Sequence, residues 1–227
     1  MNWPVRILLF FSCTMGYCGP LAGQVHQYVG QARGYADHLL PPKSYFADDN
    51  WHHAYYKAVR EALCAGLSDE PLARVLVLPS FLPEYVLSVQ RTEAGYSLTY
   101  RVCQPSVMGT YEDHLPVRVH TTTVPLSPAV AGAVARVFTA AVAQTRYPVG
   151  HSGNGLDGTR YTFAAYERVV GFRSGERWSA PTGTRMRALQ DLQETLRQIA
   201  LTPANKLTQQ RLLQQAQQLL PRLTKKP

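Results

Sequence analysis

The segment EYVLSVQRTEAGYSLTYRVC, residues 84–103, constrains the fold more than any other part of the chain. Successive side chains of a strand point to opposite faces of a sheet, so a half-buried strand shows apolar residues at every second position. Two runs of this kind, joined by a short turn that contains Gly95, predict a β-hairpin. The alternating positions are Tyr85, Leu87, Val89, Tyr96, Leu98, Tyr100 and Val102.

Further strand patterns lie on both sides of this hairpin. RVLVL (74–78) precedes it, and PVRVHTTTV (116–124) follows it with the β-branched residues that suit a pleated surface. TRYTFAAYERVVGF (159–172) and ERWS (176–179) predict two more strands, joined at Ser174-Gly175.

Four segments have the three-and-four apolar spacing of helices. The first covers residues 48–67, with Asp48, Asp49 or Asn50 as cap and Gly66 at its end; the second begins at Ser127-Pro128. RMRALQDLQETLRQIAL (185–201) is the third. The fourth starts near Thr202-Pro203 and is predicted to end at Pro221. Its predicted apolar side comprises Leu207, Leu213, Ala216 and Leu220.

Helices are predicted before the strands, between them and after them, and this order of elements predicts an α+β fold. We expect a mostly antiparallel sheet of about five strands, packed with helices and followed by an extra C-terminal helix. The predicted organisation is a signal peptide (1–23), an N-terminal extension (24–47), the α+β domain (48–201), and a C-terminal helix with a basic tail (202–227).

The first 23 residues have the order of a secretory signal peptide. Arg6 supplies the positive start, ILLFF the apolar middle, and small residues near Ala22 or Gly23 the cleavage site. The apolar run is far shorter than the roughly 20 residues that cross a bilayer, and no later stretch is long and apolar enough. We therefore expect a periplasmic or secreted protein without a transmembrane segment. The alternatives are a buried N-terminal element and a lipid anchor on Cys13 or Cys18.

Two cysteines remain after such a cleavage, Cys64 and Cys103. An even pair in an oxidising compartment predicts a disulfide bond. The alternative is a pair of unpaired buried thiols.

The chain is basic, with a net charge of +8, and residues 160–227 hold much of the excess. Such a surface suits an acidic protein partner or an anionic envelope polymer. Nucleic acid is not expected as a partner of an exported protein.

The segment PVGHSGNGLDGTRYTF (148–163) resembles a hydrolase nucleophile elbow at Gly150-His151-Ser152, but the next glycine is out of register. A predicted helix precedes the loop and a predicted strand follows it, which reverses the order that the elbow requires. Glycine, Asn154 and Asp157 instead predict a turn. The cluster Glu112–His114 is the other catalytic candidate. No metal-ligand or nucleotide-binding motif occurs, and we predict no metal and no cofactor.

Tyrosine is abundant, with 13 residues, and arginines accompany several of them in the last third of the chain. Rigid aromatic surface beside arginine is typical of binding hot spots, although the half-buried faces of sheets also use aromatic residues. The candidate binding residues are Arg160, Tyr161, Tyr166, Arg168, Arg173, Arg177 and Trp178.

Two segments before a Leu-rich helix resemble a pattern of uncharacterised exported bacterial α+β proteins. They are LDGTRYTF (156–163) and GERWSAP (175–181). The pattern is LDG-x-x-Y-x-F followed by W-S-x-P, and the resemblance implies a fold but no activity. We therefore expect an exported, non-catalytic binding or inhibitor-type module that acts on an envelope or secreted partner. The alternatives are a secreted hydrolase that uses His151 and Ser152 or Glu112–His114, and a structural envelope component.

Overall fold

A computed structural model of the chain describes residues 37–42, 50–111, 116–147, 157–202 and 206–225. It contains six strands in these ranges: β1 (Ala73–Pro79), β2 (Tyr85–Thr92), β3 (Gly95–Gln104), β4 (Arg118–Leu126), β5 (Thr159–Glu167) and β6 (Gly171–Trp178). The helices in the same ranges are α1 (Asn50–Cys64), α2 (Val107–Tyr111), α3 (Pro128–Ala143), α4 (Arg185–Leu201) and α5 (Lys206–Thr224).

The six strands form one antiparallel sheet in the order β4-β3-β2-β1-β5-β6. The predicted hairpin is present, with Tyr85 opposite Val102 and Thr92 opposite Gly95. The α+β class, the antiparallel sheet and the C-terminal helix are confirmed; the sheet has six strands rather than about five.

The predicted junction between the last two strands is wrong. β5 and β6 are joined at residues 168–170, and Gly171 supplies the positive φ of 85° after that turn. Gly175, where the junction was expected, lies in the middle of β6. A Cβ atom there would lie 2.7 Å from the Cβ of Leu39 and would also overlap the hydroxyl oxygen of Thr145. Gly175 is therefore a packing glycine: it leaves room for Leu39 against the sheet.

Two helices, α3 and α4, cover one face of the sheet, here called the helical face, and α5 packs against both of them. Ser127 caps α3 as predicted, since its hydroxyl oxygen accepts from the backbone N–H of Val130 over 3.3 Å. The apolar residues at three-and-four spacing in α3 and α4 are buried, which confirms both predicted helices: Val130, Val134, Val137, Phe138, Ala141 and Val142 on α3, and Met186, Leu189, Leu192, Leu196 and Ile199 on α4.

The C-terminal helix packs into the same core, and its predicted apolar side is confirmed in part: Ala216 is buried, and Leu213 and Leu220 are partly buried against that core. Its buried residues are Leu212, Ala216, Leu219 and Leu223, while Leu207 is 74% exposed. Pro221 does not end α5; the helix continues to Thr224, and the carbonyl of Pro221 accepts from the N–H of Lys225.

The opposite face, here called the α1 face, carries α1 and α2 over a smaller core. This core comprises Tyr55, Val59, Leu63, Leu67, Leu78, Val86, Cys103 and Val107. At the end of α1, the guanidinium of Arg101 donates to the carbonyls of Leu63 and Ala65, which satisfies helix carbonyls that have no intrahelical partner.

The predicted disulfide between Cys64 and Cys103 is not formed, because both residues are free thiols. Cys103 lies in the core beside Tyr55, near the start of α1. Cys64 is nine residues further along α1, about 14 Å at the helical rise, whereas a disulfide needs Cα atoms within about 7 Å. The prediction of export therefore rests on the leader sequence alone.

The two edges of the sheet differ. At β6, the backbone of Leu40 forms two hydrogen bonds with Glu176. At β4, among the described residues, only β3 pairs with the strand.

The predicted leader (1–23) and most of the predicted extension (24–47) lie outside the described residues. Among the residues that the structure describes, none of the helices has the length and apolar character that a bilayer crossing needs.

Candidate binding cleft on the helical face

A cleft of about 580 Å³ opens on the helical face, at the end of the sheet where β1 ends and β2 begins. It exists because α4 stops at Leu201 and leaves the strand ends beside it uncovered. Its size is within the range of small-molecule and side-chain pockets. The described lining residues are Val77, Pro79, Leu82, Pro83, Tyr85, Tyr100, Val102, Gln104, His120, Thr122, Thr159, Tyr161, Arg197 and Leu201.

Three tyrosines from three strands line the cleft. Tyr85 and Tyr100 are neighbours on β2 and β3, with ring centroids 5.7 Å apart at 66°, an edge-to-face contact. On β5, Tyr161 is stacked 6.2 Å from Phe163, which in turn contacts Phe138 of α3. The period-two pattern brings these rings to one face, and the core beneath them holds their orientation.

The C-terminal half of α4 packs over the cleft and contacts Tyr85. Nε2 of Gln193 donates to the hydroxyl oxygen of Tyr85 over 3.0 Å. One turn later, the guanidinium of Arg197 lies 5.2 Å from the centroid of the Tyr85 ring, within cation–π distance. Arg197 also pairs with Glu194, with 3.3 Å between Nη1 and Oε1.

The protonation states of these groups follow from burial. Desolvation raises the pKa of both Tyr85 and Tyr161, so both hydroxyls stay neutral at physiological pH. Burial would lower the pKa of Arg197, but its hydrogen bond to Tyr100 and the charge of Glu194 outweigh burial and raise that pKa. The cleft therefore offers neutral phenols and one permanent cation.

The rim is apolar. Leu82 and Leu201 are 66% and 55% exposed, and Phe81, next to Leu82, is 80% exposed. Among the described lining residues there is no carboxylate, serine or cysteine, and His120 is the sole histidine. The cleft therefore has an aromatic floor, an apolar rim and one guanidinium group. These features suit contact with a side chain or a small chemical group of a ligand.

No protein-family model, curated protein or solved structure matches this chain. The resemblance to exported bacterial proteins therefore stays a prediction.

The seven predicted binding residues all lie on or between β5 and β6, but they do not form one surface. Because side chains alternate along a strand, Tyr161, Arg173 and Arg177 occupy helical-face positions, whereas Arg160, Tyr166 and Trp178 occupy α1-face positions. Arg168 lies in the exposed turn between the strands. Only Tyr161 lines the cleft.

Arg160 and Trp178, two of the seven, make internal contacts at the end of β6. Arg160 pairs with Glu176 over 3.3 Å, with side chains only 17% and 8% exposed, and its guanidinium lies 5.7 Å from the Tyr56 ring centroid. Trp178 packs against Gly158, where a Cβ atom would lie 2.5 Å from the indole Nε1. Both contacts hold the end of β6 in place.

The catalytic candidates His151, Ser152 and Glu112–His114 lie outside the described residues, so the hydrolase hypothesis stays a prediction. Within the described ranges, no group of three or more histidine, cysteine, aspartate or glutamate side chains could hold a metal ion.

Sequence reasoning missed most of the cleft. Tyr85 and Tyr100 were predicted only as alternating positions of the hairpin, and no sequence motif singles out His120 or Arg197. The alternating pattern of residues 85–102 did carry the signal for the two tyrosines. Nothing local to residue 197 indicates that α4 crosses above them.

Proposed function

We propose that the protein is an exported, non-catalytic binding module that holds an apolar or aromatic group of an envelope or secreted partner in this cleft. The observation that carries the proposal is the convergence of Tyr85, Tyr100, Tyr161 and Arg197 on one open cleft. Tyrosine and arginine dominate binding hot spots because they bring large contact area, hydrogen bonding and cation–π contact with few torsions to immobilise.

The contacts within the cleft support binding more than catalysis. Gln193 and Arg197 hold the Tyr85 ring before any partner arrives, so little ordering accompanies association. Among the described lining residues there is no serine, cysteine or carboxylate, the side chains that most acyl-transfer and hydrolytic sites use.

The rim favours a protein partner over an anionic polymer. Leu82 and Leu201 provide exposed apolar area that a polyanion would leave unused. The guanidinium of Arg197 is already balanced by Glu194. An inserted aromatic or aliphatic side chain uses both the apolar rim and the tyrosine floor.

A pull-down from periplasmic and secreted extracts tests the proposal. The double variant Leu82→Asp/Leu201→Asp places two charges on the rim without touching the core, so we expect it to lose the partner. Val169→Asp is the matched control, because Val169 is 97% exposed at the β5–β6 turn, away from the cleft lining. Equal partner recovery by the rim variant and the wild type would contradict the proposal.

The hydrolase alternative has its own test. A serine-reactive probe should leave the purified native protein unlabelled if the protein is a binding module. Labelling at Ser152 that is abolished by Ser152→Ala would make the hydrolase the better description.

A further inference from the structure

We propose a second binding site on the α1 face, in a cavity of about 350 Å³ between α1 and strands β1, β5 and β6, for a small molecule with an apolar body and a single carboxylate. This site is independent of the cleft, since the two lie on opposite faces of the sheet. Its volume is at the lower end of the range for small-molecule pockets, about 300–1,000 Å³.

The floor and one wall of the cavity are apolar. Leu76 and Ala164 contribute from neighbouring strands, and the phenyl ring of Phe172 stands beside them on β6. Phe172 is 45% exposed, which leaves a large apolar side chain in contact with water at the cavity. An aliphatic or aromatic ligand body would cover this surface, and the hydroxyl groups of Thr162 and Ser174 line the same space.

The charged side chains around the cavity favour an anion. Arg60 and Arg74 line it, and Asp69 is the one carboxylate among the described lining residues. In the described contacts, Arg74 donates to uncharged acceptors, the hydroxyl of Ser88 and the carbonyl of Ser68. Burial of its guanidinium lowers the pKa of Arg74, and the nearby charge of Asp69 opposes that shift without cancelling it.

A partly desolvated guanidinium with neutral partners gains more from a bound anion than one in bulk water does. The charges of Arg74, Arg101 and Arg60 also reach the thiol of Cys64 on the cavity wall. Arg74 therefore offers one partly buried guanidinium beside the apolar wall of the cavity, which is why we infer a ligand with a single carboxylate.

The test compares octanoate with 1-octanol by isothermal titration calorimetry on the full-length purified protein. The two probes share an apolar chain and differ in the charged head group. We expect octanoate to bind about tenfold more tightly, since one charge-assisted hydrogen bond of ordinary strength corresponds to that ratio. Equal affinities, or no binding of octanoate, would overturn the proposal.

Two variants locate the site. Ser174→Leu fills the cavity and should abolish octanoate binding, while Thr121→Leu, an exposed α1-face position on β4 away from the cavity, should not. Arg60→Gln removes a positive charge from the α1 side of the cavity. It should bring the octanoate and octanol affinities closer together while the octanol affinity stays unchanged. Thermal melts establish that each variant is folded. If the ratio is unchanged in Arg60→Gln and Ser174→Leu still binds, the site is not this cavity.

The reactivity of Cys64 provides an independent test of ligand binding in the cavity. Octanoate bound in the cavity should slow alkylation of Cys64 by iodoacetamide in proportion to occupancy, measured on the peptide by mass spectrometry. Cys103, which is fully buried, should remain unmodified in the folded protein throughout. Unchanged Cys64 alkylation at saturating octanoate would contradict the assignment, and neither result depends on whether the helical-face cleft binds a partner.

Discussion

The hydroxyl of Tyr55 donates a hydrogen bond to Oε1 of Glu84 over 2.9 Å, and this contact joins α1 to the segment that leads into β2. The Glu84 side chain is fully buried. It also accepts from the hydroxyl of Ser106 and from the backbone N–H groups of Val107 and Met108. None of these four donors is a cation; the carboxylate is held by hydrogen bonds and supplies the acceptors that the first turn of α2 lacks.

Replacing Glu84 with glutamine should destabilise the protein. The amide NH₂ group would face backbone N–H donors, leaving at least one buried donor without an acceptor. We expect Glu84→Gln to lower the free energy of unfolding by about 2–3 kcal/mol and Tyr55→Phe by about 1.5 kcal/mol. Urea denaturation measures both. Tyr147→Phe is the control, because Tyr147 is 75% exposed and should stay near the wild-type value. A Glu84→Gln protein as stable as the wild type would show that the carboxylate is dispensable.

Stability should fall at alkaline pH because of Cys103. Burial, followed by the charge of Glu84, raises its pKa from 9.0 to about 12. Its contribution is therefore fully present below pH 9, where the thiol is protonated in both states. It is lost as the pH rises towards 12, because the unfolded chain ionises first, at about 1.4 kcal/mol per pH unit.

The Cys103→Ala variant isolates this effect. Burial raises the pKa of Tyr55 and Tyr85 above 10, so their own loss of stability begins only beyond that pH. Denaturant melts between pH 8 and 10 should show a steeper decline for the wild type than for Cys103→Ala. Parallel declines would mean that the thiol does not contribute.

Much of the fold could be predicted from the sequence because the signals are local. The alternation in residues 84–103 and the turn at Gly95 predict a hairpin from neighbouring residues alone, and β2 and β3 pair in that register. Ser127-Pro128 caps its helix through a contact only three residues away, from the Ser127 hydroxyl oxygen to the Val130 N–H. Apolar spacing identified the buried sides of α3 and α4 for the same reason.

The errors arose where distant segments meet. Gly175 looked like a turn because nothing nearby indicates that Leu39 packs against it. For α5, the apolar pattern predicted Ala216 correctly. Contact with α3 and α4 also buries Leu212, Leu219 and Leu223, whereas the predicted Leu207 is exposed. The disulfide was predicted from the number of cysteines, but α1 carries Cys64 away from Cys103.

The candidate site was even less accessible to sequence reasoning. A strand pattern shows that Tyr85 and Tyr100 share a face, but not that helices leave that end of the face open. The cleft depends on where α4 ends relative to the sheet, which is a property of packing.

The leader gives a prediction about the native protein. Cleavage is predicted near Ala22 or Gly23. The apolar run ILLFF follows Arg6, and small residues precede Gln24, as in a secretory signal peptide. Intact-mass spectrometry of protein purified from its natural source should show a chain that lacks Cys13 and Cys18, and fractionation should place it outside the cytosol. A native chain that retains Met1 or Asn2 would contradict export. A mass increase from lipid on an N-terminal Cys13 or Cys18 would identify the anchored form instead.

Two glycine substitutions separate packing from helix propensity. Gly175→Ala forces a Cβ atom against Leu39 and the Thr145 side chain, and overpacking of this kind should lower the free energy of unfolding by about 2 kcal/mol. Gly132→Ala is the matched control in α3, where the new Cβ atom would make an ordinary 3.6 Å contact with Nη1 of Arg136. Alanine is the better helix former, so this variant should gain about 0.5–1 kcal/mol. Opposite shifts in the denaturation midpoint are the expected result, and a Gly175→Ala protein that is no less stable than the wild type would mean that Leu39 does not pack on β6.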